Sequence, residues 1–434
     1  MNTTTESKQN NGLILRKILY LLPLLIFASI ISFPDIPEAA TAGTIGTWYN
    51  NTTFPRQVDS HSAVTFGGYI YVLGGWGGPG TSYAHNDVTY SKANSDGTLQ
   101  AWSSTTPFTT GRYLHATAVD SDNSMLYIIG GLDTNGNKLN DVQYAQILSA
   151  GGIGAWNTTT AFPYTFIYGH TAVAYNGYLY VIAGDTDSAE LNTVYFAKIN
   201  NDGTLGAWQR NFFVLDGSVR RLHATAAYNG KFYVTGGLGE GSVLDDVQNA
   251  PIKPQPTFTG PVEQWKLTTA LPATRKEHTS VAANEYLYVV GGDNCWEAPH
   301  SLFNDVSYAR INSDGSVGDW KTTTALPGVL KGHASVELNG YLYTIGGWSG
   351  SCGMGSSTDA VLYAKINAQD TTPPKTNSSQ SAGIYSAPFS ITLTCNDGVG
   401  SGCNQTYYTL DGTNPTTSSP IFSGSIPINS TTTL

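Results

Sequence analysis

Apolar and polar residues alternate along most of the chain in short runs, and the runs return at a fixed interval. The first is Ser62-Ala-Val-Thr-Phe66 after His61. Equivalent runs follow His115, His170, His223, His278 and His333, at spacings of 54, 55, 53, 55 and 55 residues. Alternation of period two predicts a strand with one buried face. A two-residue turn comes next (Gly67-Gly68, Asn176-Gly177, Asn229-Gly230, Asn339-Gly340), then a Tyr-rich apolar strand. That second strand ends in small residues in each unit: Gly74-Gly75, Gly130-Gly131, Ala183-Gly184, Gly236-Gly237, Gly291-Gly292 and Gly346-Gly347. A variable loop leads to a third strand, marked by Asn86-Asp87-Val88, Asn140-Asp141-Val142 and Asn304-Asp305-Val306. An Asp-Gly turn such as Asp96-Gly97 or Asp314-Gly315 signals a further hairpin. The fourth strand carries Trp102, Trp156, Trp208, Trp265 or Trp320.

Four short strands recurring every fifty-odd residues predict an all-β chain built as a propeller, one blade per unit. The double glycine with its spaced Tyr and Trp resembles the kelch repeat, over roughly residues 44–367. The resemblance implies a six-bladed kelch-type β-propeller of the galactose oxidase central-domain kind. Two positions depart from it, Ala183 for the first glycine of unit three and Asn249 at the Tyr position of unit four. The methyl group of Ala183 is tolerable if the backbone there avoids positive φ. Unit six lacks a Trp strand after it, whereas an unmatched Gly46-Thr47-Trp48 precedes unit one. Residues 44–50 are therefore expected to close the sixth blade and remove a free edge.

The propeller is expected over 43–368. A Pro/Thr/Ser linker should occupy 369–380, and a small domain 381–434. The stretch from Tyr407 to Gly424 resembles the chitobiase/β-hexosaminidase C-terminal domain, which implies an immunoglobulin-like β-sandwich. A further strand usually follows the Thr-Thr-Thr-Leu position in that family, so with the sequence stopping at Leu434 the expectation is either a sandwich without its last strand or a fragment of a longer chain. At the other end, residues 1–42 read as a signal peptide or an N-terminal membrane anchor. Their polar start ends in Arg16-Lys17, a 14-residue apolar run covers 18–31, and Ala40-Thr41-Ala42 offers a cleavage site. The run is shorter than the roughly 20 residues of a comfortable span. Either reading makes the chain extracytoplasmic, secreted or cell-surface.

Composition narrows the function. With 21 Lys+Arg against 31 Asp+Glu, no basic run and a net charge of −10, the chain lacks the footprint of a nucleic-acid binder. Membrane contact is expected only through an uncleaved anchor. The four cysteines suit an oxidising compartment. Of three possible connectivities, the repeat register favours Cys295–Cys352, in corresponding loops of neighbouring units, and Cys395–Cys403 closes a short loop. No Cys-x-x-Cys or clustered His accompanies them, so no metal site is expected.

The strand order puts the loop before each His and the loop after each small pair on one face. The opposite face carries only short turns. Function is expected on the variable face, at Trp76, Tyr83, Arg112, Tyr113, Tyr168, Arg220, Arg221, Trp296, His300 and Trp348. Aromatic rings beside charged groups suit sugar or peptide recognition. The same loops hold Asp185, Glu190, Glu240, Lys276, Asp293 and Lys331. The six repeated histidines read as packing residues. No Gly-x-Ser-x-Gly, His-Glu-x-x-His or phosphate-loop motif occurs, and no cofactor or catalytic residue is assigned. The expectation is a non-catalytic binding protein for a carbohydrate or extracellular protein ligand. The alternative, implied by the kelch resemblance, is a carbohydrate-active enzyme: a sugar oxidase or a sialic-acid mutarotase.

Overall fold

A computed structural model of the 434-residue chain describes residues 41–78, 83–296, 300–367, 375–380, 388–396, 406–416 and 418–429. Most of the expected leader (1–40) and Cys403 lie outside these residues. Among the described residues, no helix is long and apolar enough to cross a membrane.

Six antiparallel sheets of at least four strands make the six blades of a propeller. Blade 1 runs Ser62–Phe66, Tyr69–Leu73, Val88–Lys92 and Ser103–Thr105, from the axis outwards. Blades 2 to 5 repeat the pattern, their inner strands being Ala116–Asp120, Thr171–Tyr175, Ala224–Tyr228 and Thr279–Ala283. Blade 6 takes three strands from 334–365, and its outermost strand is Tyr49–Asn50, paired with Val361–Lys365. Ile45 also bridges Ile366, so chain segments some 320 residues apart share one sheet.

The repeated residues join blades. The indole nitrogens of Trp48, Trp102, Trp156, Trp208 and Trp320 donate to the carbonyls of Thr324, Thr52, Thr106, Thr160 and Thr269, each about fifty residues back or across the ring closure. Second-strand tyrosines Tyr71, Tyr127, Tyr180, Tyr233, Tyr288 and Tyr343 are wholly buried. The small pair explains its own composition. A Cβ on Gly74 would lie 2.9 Å from the His115 ring of the next blade, and one on Gly75 2.5 Å from the Cβ of His61. Five of the six histidines thus pack onto glycines of two blades, and His223 onto Gly237 of its own, which is why the residue recurs. Ala183 departs from the expectation above: its φ is +53°, so the methyl group sits in the left-handed region after all. The surrounding blade holds it there.

Around the axis the residues preceding the histidines form a closed ring. Ser60, Leu114, Gly169, Leu222, Glu277 and Gly332 all have φ between +52° and +63°. Leu114 N–H donates to Ser60, Gly169 to Leu114, Leu222 to Gly169, Glu277 to Leu222, Gly332 to Glu277 and Ser60 to Gly332, at 2.7–3.0 Å. Backbone donors that would otherwise be orphaned at a propeller mouth are satisfied by one another.

Two elements differ from the sequence reading. Blade 4 has a long third strand, Ser242–Thr257, which folds back through Gly260–Val262 in place of an Asp-Gly turn and leaves Phe258 fully exposed at the tip. The Asn211 side chain pins this hairpin to blade 3 through Val262. In the C-terminal region, Lys375–Ser378 is a strand paired with Leu393–Asn396, not part of a linker. Phe389–Ile391 pairs with Ile426–Ile428, and the expected strands at 407 and 421 meet only in a single bridge. Among the described residues its buried core is Ile391, Ile426 and Ile428.

Candidate functional site

The face on which the inner strands begin is built by one repeated contact. The residue two before each histidine pairs, backbone to backbone, with the residue after each small pair. The pairs are Asp59 with Trp76, Tyr113 with Leu132, Tyr168 with Asp185, Arg221 with Leu238, Lys276 with Asp293 and Lys331 with Trp348. Twelve side chains are thereby fixed around the mouth of the axial channel by the scaffold. Inside them, the ring residues and the six histidines line a cavity of about 130 Å³.

The aromatic part lies at blades 1 and 2. The Trp76 and Tyr113 rings are 5.0 Å apart and tilted by 56°, and both are partly exposed. Tyr83, half exposed, lies 4.3 Å from the ring of buried His85. Asp59 sits beside this group. Its carboxylate accepts hydroxyls from Ser60 at 2.8 Å and Ser357 at 2.5 Å. Burial raises its pKa, against the effect of those hydroxyls, and Glu277 adds to the rise. Burial, with Asp133 and Asp59 nearby, also raises Tyr113.

The charged part lies across the mouth. Lys276 Nζ is 2.8 Å from Asp293 and 3.2 Å from Glu277. Lys331 Nζ is 3.2 Å and 3.3 Å from the same two carboxylates. Two lysines and two carboxylates thus form a neutral square. Burial opposes the charge on Lys331, but Glu277 and Asp293 together raise its pKa. Blade 3 adds Arg221, bonded to Asp185 at 2.9 Å and also to Glu190. The Tyr168 hydroxyl donates to Asp185, and burial together with that bond pushes its pKa up to about 12. Lys138 lies 3.9 Å over the Phe166 ring and 5.4 Å over that of Tyr168.

Cys295 and Cys352 are joined as expected, tying the blade 5 loop to the blade 6 hairpin Trp348–Ser351/Met354–Ser357. Trp296 beside it is 63% exposed, and His300 is exposed too. Cys395 is also disulfide-bonded.

Two expected face residues are not on the face. Arg112 and Arg220 are wholly buried, each holding a carboxylate of its own blade, Asp141 or Asp246, and the carbonyl of Gly130 or Gly236. Arg275 does the same with Asp305 and Gly291, and Arg56 with Asp87 and Gly74. An arginine recurring with an Asp in four blades was the available sign of a structural role. Asp59, Glu277, Phe166 and Ser357 belong to the mouth and were missed. Asp59 was findable, since it holds the same place before His61 as Tyr113 holds before His115.

His115, His223, His278 and His333 bond Ser62, Thr171, Thr235 and Thr279 through Nε2. Burial pushes the pKa of His61, His170 and His333 down to about 3. Among the described residues no cluster of His, Cys, Asp and Glu has metal-binding geometry.

Comparison with known proteins agrees with this architecture. Residues 60–253 match the family model described as the KLHDC2/KLHL20/DRC7 Kelch-repeats domain, and residues 370–434 match the Chitobiase/beta-hexosaminidase C-terminal domain. No curated protein matches the chain. A solved structure described as "Structure of YjhT" is similar with a TM-score of 0.55 and 17% identity, over 72% of this chain and 96% of that one. At that identity the likeness concerns the fold alone. The chain therefore carries a kelch-repeat domain within a six-bladed propeller, followed by a region of the chitobiase/β-hexosaminidase C-terminal type.

Proposed function

We propose that the chain is an exported binding propeller that holds a carbohydrate at the mouth described above, without catalysing a reaction on it. The observation that carries this reading is the partly exposed Trp76–Tyr113 pair, fixed at the rim beside hydrogen-bonding groups. Flat aromatic faces take the apolar face of a sugar ring, and neighbouring carboxylates and hydroxyls take its hydroxyl groups. Trp348, paired with Lys331 at the rim, and exposed Trp296 in the blade 5 loop offer further aromatic surface. The Cys295–Cys352 disulfide is consistent with life in an oxidising compartment. An extracellular protein ligand would use the same surface.

A glycan array probed with purified residues 43–434 tests the reading. Saturable binding that is lost in Trp76→Ala or Trp348→Ala supports it; a blank array on a folded protein removes it. The enzymatic alternative draws on one arrangement, the Tyr168–Asp185–Arg221–Glu190 chain of hydrogen bonds. It predicts turnover of a bound sugar that Glu190→Gln abolishes.

A further inference from the structure

The charges at the mouth do not balance, and the imbalance is localised. Lys276 and Lys331 are each shared between Glu277 and Asp293, so that square carries no net charge. Arg221 is held by two carboxylates, Asp185 and Glu190. These three cations are thus committed to carboxylates, while Lys138 lies over the Phe166 and Tyr168 rings of blade 3. Asp59 is the opposite case: among the described residues no Lys, Arg or His nitrogen lies within ion-pair distance of it. The charged groups facing it are Lys331 and Glu277, with the Tyr113 phenol nearby. Two serine hydroxyls leave lone pairs of the carboxylate unused. Its backbone is paired to that of Trp76, which brings the carboxylate to the Trp76–Tyr113 pair.

A buried carboxylate without a counterion, next to aromatic faces, is a combination with a definite preference. An anionic ligand meets repulsion there from the Asp59 carboxylate. A neutral sugar gains stacking and hydrogen bonds only. An ammonium group gains a charge-assisted hydrogen bond to the carboxylate and a cation–π contact with indole or phenol. Water is partly excluded at this spot, which strengthens both.

Resting on the carbohydrate reading, we propose that the mouth takes a cationic ligand: a protonated primary amine on a sugar ring, seated between the Asp59 carboxylate and the Trp76 and Tyr113 rings. Asp59 is then the specificity-determining residue and the rings supply general affinity. Acidic groups are repelled from this position by the same charge.

The test is calorimetric titration of residues 43–434 with a glucosamine oligosaccharide and its N-acetylated counterpart, at about pH 6. The expected result is at least tenfold tighter binding of the free amine, with that ratio between the two sugars lost in Asp59→Asn. In wild type the advantage should also shrink with added salt, which holds the test open if the variant folds poorly. Equal affinities, or tighter binding of the N-acetylated sugar, overturn the amine preference and leave the carbohydrate reading standing. An amine preference that survives in Asp59→Asn reflects attraction to the net charge of −10, and overturns the assignment to Asp59. Binding of neither sugar, nor of any glycan on an array, removes both.

Discussion

Arg112 grips Asp141 with both terminal nitrogens, at 2.9 and 2.8 Å, while its side chain is wholly out of solvent. With four of its five N–H groups bonded to Asp141, Gly130 and Thr110 and no exposed surface, this guanidinium is out of a ligand's reach. Arg112→Ala should therefore cost stability and not affinity. Breaking a buried pair costs about 3–5 kcal/mol, and the 34% exposure of the Asp141 side chain puts this one at the low end. Denaturant unfolding measures the loss. A variant as stable as wild type with weakened ligand binding would return Arg112 to the face.

Ala183 offers the converse experiment. A left-handed alanine costs about 1–2 kcal/mol relative to glycine, part of which returns through the greater freedom of unfolded glycine. Ala183→Gly should raise stability by about 0.5–1 kcal/mol in thermal melts. Gly236→Ala should lower it by more, because the added Cβ would lie 2.5 Å from the Arg275 carbonyl oxygen. A stabilising Gly236→Ala would contradict the packing described.

Acid should loosen the propeller before it protonates ordinary carboxylates. Burial lowers the pKa of all six repeated histidines in the fold, whereas the unfolded chain takes up their protons near pH 6.5. The unfolded state then binds more protons, so stability is complete above about pH 6.5 and falls as pH drops towards 4. Each histidine contributes a slope approaching 1.4 kcal/mol per pH unit, roughly. Asp59, whose pKa is raised, works weakly the other way. Urea unfolding at several pH values reads the slope; a flat profile between pH 7 and 5 would refute it.

Reduction of Cys295–Cys352 should cost about 2–4 kcal/mol and free the hairpin that carries Trp348. Melting with and without reductant, repeated on Cys352→Ser, separates this from Cys395. No shift in either would mean that the bond adds nothing to the fold.

The sequence reading succeeded where a physical need repeats. His115 over Gly74, the Trp156 indole on the Thr106 carbonyl and the Tyr127 core position recur in nearly every unit, so six copies made the blades legible. It failed where one unit departs from the others. Among the described residues the hairpin to Val262 exists only in blade 4, and the strand at Lys375–Ser378 lies in a segment whose Pro and Ser content resembles a linker. The face was partly legible for the same reason. Tyr113, Tyr168 and Arg221 stand out by their place before a histidine, but whether a neighbouring arginine points outwards or into the blade depends on an Asp some thirty residues away. Arg112 and Arg220 were misread on that account.

The most direct test of the carbohydrate-binding mouth is calorimetric titration of one array-positive neutral glycan against wild type, Trp76→Ala and Phe212→Ala. Phe212 is exposed and lies beside the blade 4 hairpin, away from the paired residues of the mouth. The account predicts at least a tenfold loss for Trp76→Ala and wild-type affinity for Phe212→Ala. Unchanged affinity in a folded Trp76→Ala protein, or a loss confined to Phe212→Ala, would contradict it.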